Sequence, residues 1–515
     1  MMGAAALVSR VFGSVRVLVI AAVLGTTYLG NAFQASNSVS NVLFELLAAG
    51  ALSAVLVPTF IGFVDRGDRA GAEALSGSLL GVALAAMAVV SVVGVLIAPW
   101  IARLIVTAVP DERIAAEQQD LVTFLLRWFV PQVMLYAVGA VTTAVLHSRR
   151  RFVAAAVAPI GNTVVMVGFL AAFAWSAGPN PGLQLASVDR WLLAMAGTLG
   201  VVAFVAIPYV ALARTGFRLR PRMGWGHQAV RHLVGLSGWA TLQYAGFASL
   251  NGAAILAGGS VPGGVVAFGV GWFFFLAPFG VVGQPIATAI LPELVEALRH
   301  NDHAKFAQRV RWAADRITVL LAPITALACG LAVPAMSVAA FGQASGDAGV
   351  SVLAAALGSL CVGLVPYALF HLYARAWFAL DDSRTPAVVG AVGAIVGVVG
   401  MAVAPIVADG AGTVVVLGLA HTAAFVVGAA VLAARLRRRV AFAILPTGLW
   451  RTAAVTAIVA TLAWVGARAW NPGDRVASLA AVLVLGVLAA GTHLGVSQLV
   501  GAGVLDQIRR RGELT

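Results

Sequence analysis

Ser53-Ala-Val-Leu-Val-Pro58 leads into Phe63-Val-Asp-Arg-Gly-Asp68, and 234 residues later Ala287-Thr-Ala-Ile-Leu-Pro292 leads into Ala297-Leu-Arg-His-Asn-Asp302. Each copy is an apolar run stopped by proline and followed by a polar turn that closes on aspartate. The offset returns elsewhere: Leu146-His-Ser-Arg-Arg150 matches Leu380-Asp-Asp-Ser-Arg384, and Val130-Pro131 matches Val365-Pro366 at 235. Self-similarity at a fixed period is the mark of a duplicated architecture. The matches fall on the second and eighth, and on the fourth and tenth, of the apolar runs. The repeat therefore predicts two parallel six-helix lobes facing one another across a central cavity, which is a transporter's plan.

The remaining sequence fits that plan. Of 515 residues, 61% are apolar and 10% charged, against about 25% charged in a soluble domain, so a soluble enzyme is excluded. A bilayer-spanning helix needs about 20 apolar residues, and the runs between charged or Pro/Gly-rich breaks number fourteen. The expected fold is an all-α polytopic membrane protein. Helices 1–6 occupy residues 1–215, helices 7–12 occupy 216–440, and two extra helices with a short basic tail fill 441–515. Arg10 and Arg16 precede the apolar stretch Val17 to Leu24, which reads as an uncleaved first span because no A-x-A site follows.

Charge sets the orientation. The 33 basic residues are all arginine except Lys305. With both termini in the cytoplasm, cytoplasmic loops collect 25 of them, including arginines 149–151, 437–439 and 509–511. Outer loops and their edges hold 5: Arg103, Arg113, Arg190, Arg468 and Arg475. A bias of that size satisfies the positive-inside rule, so the net charge of +13 signals topology and anionic-lipid contact rather than nucleic acid.

Chemistry-bearing residues concentrate on the second span. At 100° per residue, Gln34, Asn37, Ser38, Asn41 and Glu45 lie within one sector of the helical wheel, a polar face three turns long. Buried amides and a carboxylate at membrane depth are costly unless they meet partners or water. The face therefore looks into the bundle, either lining a wet substrate cavity or bonding to other helices. On the first span, Arg16 is well inside the bilayer if the helix begins near Ala4, and its guanidinium could then grip phosphate with a bidentate fork. If the span begins at Val17, Arg10 and Arg16 snorkel to headgroups instead. Glu45 is the natural partner for Arg16, or a proton or cation site. In the second lobe the possible cavity groups are Gln243, Asn251, Gln284, His371 and Arg375. Cys329 and Cys361 lack metal-ligand spacing, and no hydrolase, P-loop or dinucleotide motif is present. We expect no enzyme, no metal site and no cofactor.

These residues resemble a known family, the MurJ/MviN lipid II flippases of the multidrug/oligosaccharidyl-lipid/polysaccharide exporter superfamily. The likeness runs through Ser9-Arg10-x-x-Gly13-x-x-Arg16, Gly30-Asn-Ala-Phe33, Asn41, Gly50-Ala-x-Ser53, Val57-Pro58, the repeat loops and the fourteen-span plan. It implies alternating access by two lobes that move a polyprenyl-diphosphate-linked peptidoglycan precursor from the inner to the outer leaflet of the bacterial plasma membrane, the last two spans bounding a groove for the lipid tail. Arginines would meet the diphosphate, and amides, Asn31 among them, would meet the sugars. The chain departs from the family in four places. Val17 stands where an acidic residue is usual, Asn31 where Asp precedes Ala-Phe, Phe44-Glu45 where a basic pair follows Asn-x-x, and Trp272-Phe273 where Asp-Arg occurs. Only Arg10 and Arg16 of the clasping arginines carry over. Coupling would run through the membrane potential or a cation. Membrane lipids are the other partners. The alternatives are export of another lipid-linked saccharide or amphipathic substrate, or a transport-inactive paralogue that scaffolds cell-wall synthesis proteins.

Overall fold

The computed structural model describes residues 2–44, 63, 68–223 and 228–499, and among them it contains helices and turns but no strand. Packing parts the chain into two units, 1–266 and 267–515.

The first unit holds α1 (Met2–Leu24), α2 (Tyr28–Phe44), α3 (Arg69–Leu96), α4 (Ala98–Ile105), α5 (Glu112–Phe129), α6 (Gln132–Ser148), α7 (Val153–Ala177), α8 (Ser187–Ala213) and α9 (Gln228–Gly258). Helix α10 (Gly264–Pro278) begins in this unit and ends in the second. Its core joins α2, α5, α7 and α8 around Phe33, Leu125, Phe129, Leu170 and Phe173, all fully buried. Phe33 meets Phe129 edge to face at 5.7 Å, the arrangement the ring quadrupoles favour. Small residues let backbones approach: a Cβ on Gly200 of α8 would lie 2.8 Å from Oδ1 of Asn162 on α7.

The second unit continues with a π-helical turn (Phe279–Gly283), α11 (Gln284–Ala289), α12 (Leu291–Arg299), α13 (His303–Gly330), α14 (Ala332–Ala339), α15 (Asp347–Val362), α16 (Leu364–Ala379), α17 (Arg384–Val407), α18 (Ala411–Val440), α19 (Leu449–Trp470) and α20 (Arg475–Leu499). Here α17 and α18 form the most extensive pair, as α7 and α8 do in the first unit. Gly393 allows it, since a Cβ there would meet the Ala424 carbonyl oxygen at 2.6 Å. Helices α19 and α20 pack on α13 and α14.

The repeat has a structural counterpart in its turns. The Asp68 N–H donates to the Phe63 carbonyl (3.0 Å) and the Asp302 N–H to the Ala297 carbonyl (2.9 Å). The Asp68 carboxylate accepts from the Gly71 N–H and that of Asp302 from the Lys305 N–H, both at 2.8 Å. These are helix N-caps in register at 234. The later match slips. Arg150 and Asp381 both take the left-handed conformation (φ 57° and 58°), closing Schellman turns from Leu146 and from Trp377. The structural equivalent of Leu146 is thus Trp377, three residues before the Leu380 that the sequence match selects. Identical letters at Ser-Arg mislead because the turn is defined by backbone bonds and not by those side chains.

Among the described residues, ten helical segments are long and apolar enough to cross a membrane, or eleven when the bent pair α15–α16 counts as one. Helices α1, α2 and α9 adjoin residues outside the described set and are not among them, so the expected fourteen is not reached by this count. Apolar side chains face outward along these helices: Trp175 is 91% exposed and Ile406 80%. A soluble protein would not leave such surface wet, and the chain is a multi-pass membrane protein.

Candidate functional site

In the first unit the polar face of α2 is graded along its length. Asn31 is fully buried and Asn37 9% exposed, Gln34 and Ser38 are partly exposed, and Asn41 is exposed. The face therefore opens toward its Phe44 end. Asn41 does not act alone: its Oδ1 accepts a hydrogen bond from the Tyr136 hydroxyl of α6 at 3.0 Å. Tyr136 in turn lies within electrostatic reach of Arg16 on α1. Arg16 is partly buried and makes no ion pair among the described residues. A guanidinium in an apolar bundle needs an anion or water, and this one has within electrostatic reach a phenol that is itself bonded to an amide.

Tyr136 is the residue that sequence reasoning missed. Its only cue is a polar aromatic five residues after the Pro131 break, and its partner lies 95 positions away. Arg10 lies on α1 with its side chain outside those described, and Glu45 lies outside the described residues. The expected Arg16–Glu45 pairing therefore falls outside the described structure.

Asn31 departs from the sequence expectation. Its Nδ2 donates to the Val261 carbonyl at 2.8 Å and its Oδ1 accepts from the Val265 N–H at 3.0 Å. Both ends of the amide are engaged by backbone, so Asn31 clasps the start of α10 instead of facing a ligand. Nearby Gly263, with φ 71°, has no room for a Cβ, which would stand 2.2 Å from the Thr26 Cα. Gln243 and Asn251 on α9 are partly exposed, eight residues apart and so on neighbouring faces of one helix.

In the second unit, Gln284 is exposed at the start of α11, just beyond the π turn. Its carbonyl oxygen accepts from the Arg375 guanidinium of α16 at 3.1 Å and from the Thr288 hydroxyl at 2.7 Å. Thr288 Oγ1 also accepts from Arg375 at 2.7 Å. Irregular helical turns of this kind are common at functional positions. Trp272 and Phe273 lead into an aromatic group: Trp272 stacks on Phe275 at 5.2 Å and meets Tyr367 and His421 edge-on at 6.0 and 5.1 Å.

Residues 20–488 match the family model for the lipid II flippase MurJ. The probable lipid II flippase MurJ of Rhizobium tropici is 27% identical over 388 residues, covering 75% of this chain and 70% of that one. That of Rhizobium meliloti (strain 1021) is 28% identical over 406 residues, covering 77% and 72%. The lipid II flippase MurJ of Burkholderia cenocepacia is 26% identical over 391 residues, covering 74% and 72%. Among solved structures, a lipid II flippase MurJ in an inward closed conformation superposes with a TM-score of 0.74 at 14% identity, covering 97% of this chain and 98% of that one. An inward-facing multidrug resistance MATE transporter of the MOP superfamily gives 0.65 at 14% identity, over 84% and 94%. These likenesses establish the fold, and the match over nine-tenths of the sequence establishes kinship: the chain belongs to the lipid II flippase MurJ family.

Proposed function

We propose that this protein is a flippase that carries lipid II, a polyprenyl-diphosphate-linked peptidoglycan precursor, from the inner to the outer leaflet by alternating access. The observation that carries the reading is Arg16: a guanidinium without an ion-pair partner among the described residues, set beside the Tyr136–Asn41 bond on a polar helix face. A diphosphate supplies the missing charge in a shape that a guanidinium fork matches, while Gln34, Asn37 and Asn41 suit sugar hydroxyls. Gln243, Asn251 and Gln284 complete the assignment, with Arg10 and Glu45 as outlying members. The lobes are assigned to 1–215 and 216–440, with 441–515 as an appendage, on the repeat near 234. Both termini are assigned to the cytoplasm on the arginine bias. The drive is the membrane potential or a cation, and no cofactor is called for.

The test is lipid II translocation in proteoliposomes. Arg16→Ala should lower the rate at least tenfold, and Arg16→Lys should restore part of it, because a point charge replaces a fork. Full activity in Arg16→Ala refutes the clasp. A second reading, that the cargo is another lipid-linked saccharide, draws on Trp272 and Phe273. Where relatives are expected to carry charge, this chain builds an aromatic cluster. A cargo that copurifies and lacks the peptidoglycan headgroup would favour it.

A further inference from the structure

The chain leaving α8 forms a strap that is laid along α3. The Arg218 N–H donates to the Glu73 carboxylate at 3.0 Å and the Arg222 N–H to the Gly77 carbonyl at 2.9 Å. Gly77 and Gly81 open the groove: a Cβ on the first would collide with the Arg220 carbonyl oxygen, and one on the second with that of Arg222. The strap enters at Gly216, which has φ 74° and whose carbonyl accepts from the Arg69 guanidinium. Phe217 and Leu219 pack inward with Leu75, Leu79 and Leu212, and Arg149 lies over the Phe217 ring at 4.6 Å. Arg218, Arg220 and Arg222 alternate with these residues and are exposed.

The register fixes the spacing. From Glu73 to Gly81 the helix rises about 12 Å, and from Arg218 to Arg222 an extended chain covers about 13 Å. The strap therefore runs extended and parallel to α3, with its three arginines about 7 Å apart along the helix axis. None of the three forms an ion pair among the described residues. Glu73 is already shared between the Arg69 guanidinium and the Arg218 N–H, each at 3.0 Å.

Depth decides what such a comb can meet. On α4, just past the far end of α3, Trp100 is 67% exposed, where an interfacial aromatic belongs. Measured back from it, about 30 Å of hydrocarbon is about 20 residues of helix and ends near Leu80 and Gly81. The first three turns of α3 and the strap on them stand in the headgroup layer, with Arg222 at the hydrocarbon boundary and Arg220 and Arg218 successively farther out. Ordinary phospholipid phosphates lie at one depth and engage one rung. A lipid whose negative charges are stacked along the bilayer normal engages all three.

We propose that Arg222, Arg220 and Arg218 form a loading site for a lipid-linked polyanion, Arg222 gripping a diphosphate at the hydrocarbon boundary and Arg220 and Arg218 meeting carboxylates of the headgroup above it. Taking that lipid to be lipid II, whose peptide carries such carboxylates, rests on the functional reading above. The site takes up cargo ahead of the step that uses Arg16.

The test reads equilibrium binding in phosphatidylcholine nanodiscs, with Arg16→Ala protein so that the candidate clasp does not contribute. Arg222→Gln should weaken lipid II about tenfold, and adding Arg218→Gln should weaken it several-fold more. A dialkyl diphosphate has no carboxylates: it should lose about tenfold to Arg222→Gln and stay within about twofold in Arg218→Gln. Phosphatidylglycerol should compete far less well than the diphosphate. With Arg16 restored, the triple variant Arg218→Gln, Arg220→Gln, Arg222→Gln should raise the lipid II concentration for half-maximal translocation about tenfold and leave the maximal rate within about twofold. The three side chains are exposed, and a melting scan of each variant certifies folding. Unchanged lipid II binding in the triple variant, a diphosphate that responds equally to Arg218→Gln and Arg222→Gln, phosphatidylglycerol competing as well as the diphosphate, or an intact strap that binds neither probe overturns the proposal. Strap-dependent binding in a protein that translocates no lipid II overturns the flippase reading and leaves the site standing. Translocation indifferent to the triple variant at every lipid II concentration does the reverse.

Discussion

Replacing Asn31 with alanine isolates the clasp at the start of α10. The substitution orphans the Val265 N–H, whose acceptor is the Asn31 side chain at 3.0 Å. It also removes one of two donors to the Val261 carbonyl, which keeps the Gly264 N–H at 3.0 Å. An unsatisfied buried backbone donor costs about 1–3 kcal/mol, and loss of a capping side chain at a helix start costs about 1 kcal/mol. These descriptions overlap, so the expected loss is about 2 kcal/mol, or roughly 30-fold in the local opening equilibrium at 1.4 kcal/mol per decade. Hydrogen exchange read by mass spectrometry over peptides spanning 261–270 should show protection falling by that factor. Asn31→Asp is the sharper variant. It keeps an acceptor for Val265 but sets its second oxygen against the Val261 carbonyl, where the amide now donates at 2.8 Å. It should therefore do no better than alanine. Unchanged protection in Asn31→Ala, or full protection in Asn31→Asp, would show that the clasp does not hold α10.

Tyr136→Phe removes the hydroxyl that bonds Asn41 and should lower lipid II translocation about fivefold without lowering the melting temperature, since Asn41 is exposed and can turn to water; an unaltered rate would detach Tyr136 from the site. Gly393→Ala forces a methyl to 2.6 Å from the Ala424 carbonyl and should destabilise the second unit by about 1–3 kcal/mol, read as a lower melting temperature; an unchanged melt would show that α17 and α18 part freely. Asp302→Ala deletes the N-cap of α13 and should cost about 1 kcal/mol, with faster exchange confined to the first turn; slower or equal exchange there would contradict the cap.

Much of the architecture is visible in the one-dimensional chain because its determinants are local. A proline, a polar turn and an aspartate three residues before the N–H it caps can be read at 63–68 and again at 297–302. The polar face of α2 is likewise a property of one helix, and along it the structure runs from Asn37, 9% exposed, to Asn41, which is exposed. What could not be read depends on contacts between distant segments. The Tyr136–Asn41 bond spans 95 positions, and the Asn31 clasp spans 230 and 234. From sequence alone a buried amide looks the same whether its partner is a sugar or a backbone. The Arg375 grip on Gln284 depends on a π turn, which has no signature in residue type. The three-residue slip between Leu146 and Trp377 was hidden because similar letters stand at a turn set by main-chain bonds.

The π turn at Phe279–Gly283 stores one residue more than the surrounding helix can use. The Gln284 N–H reaches back five residues to the Phe279 carbonyl instead of four. Relaxing that ring to ordinary helical pitch would turn all that follows by about 100° about the helix axis. Gln284 and Thr288 would then swing away from Arg375, and its guanidinium would lose both of its present anchors. The extra residue thus sets the azimuth of everything that follows it, and the two anchors of Arg375 exist only at that setting.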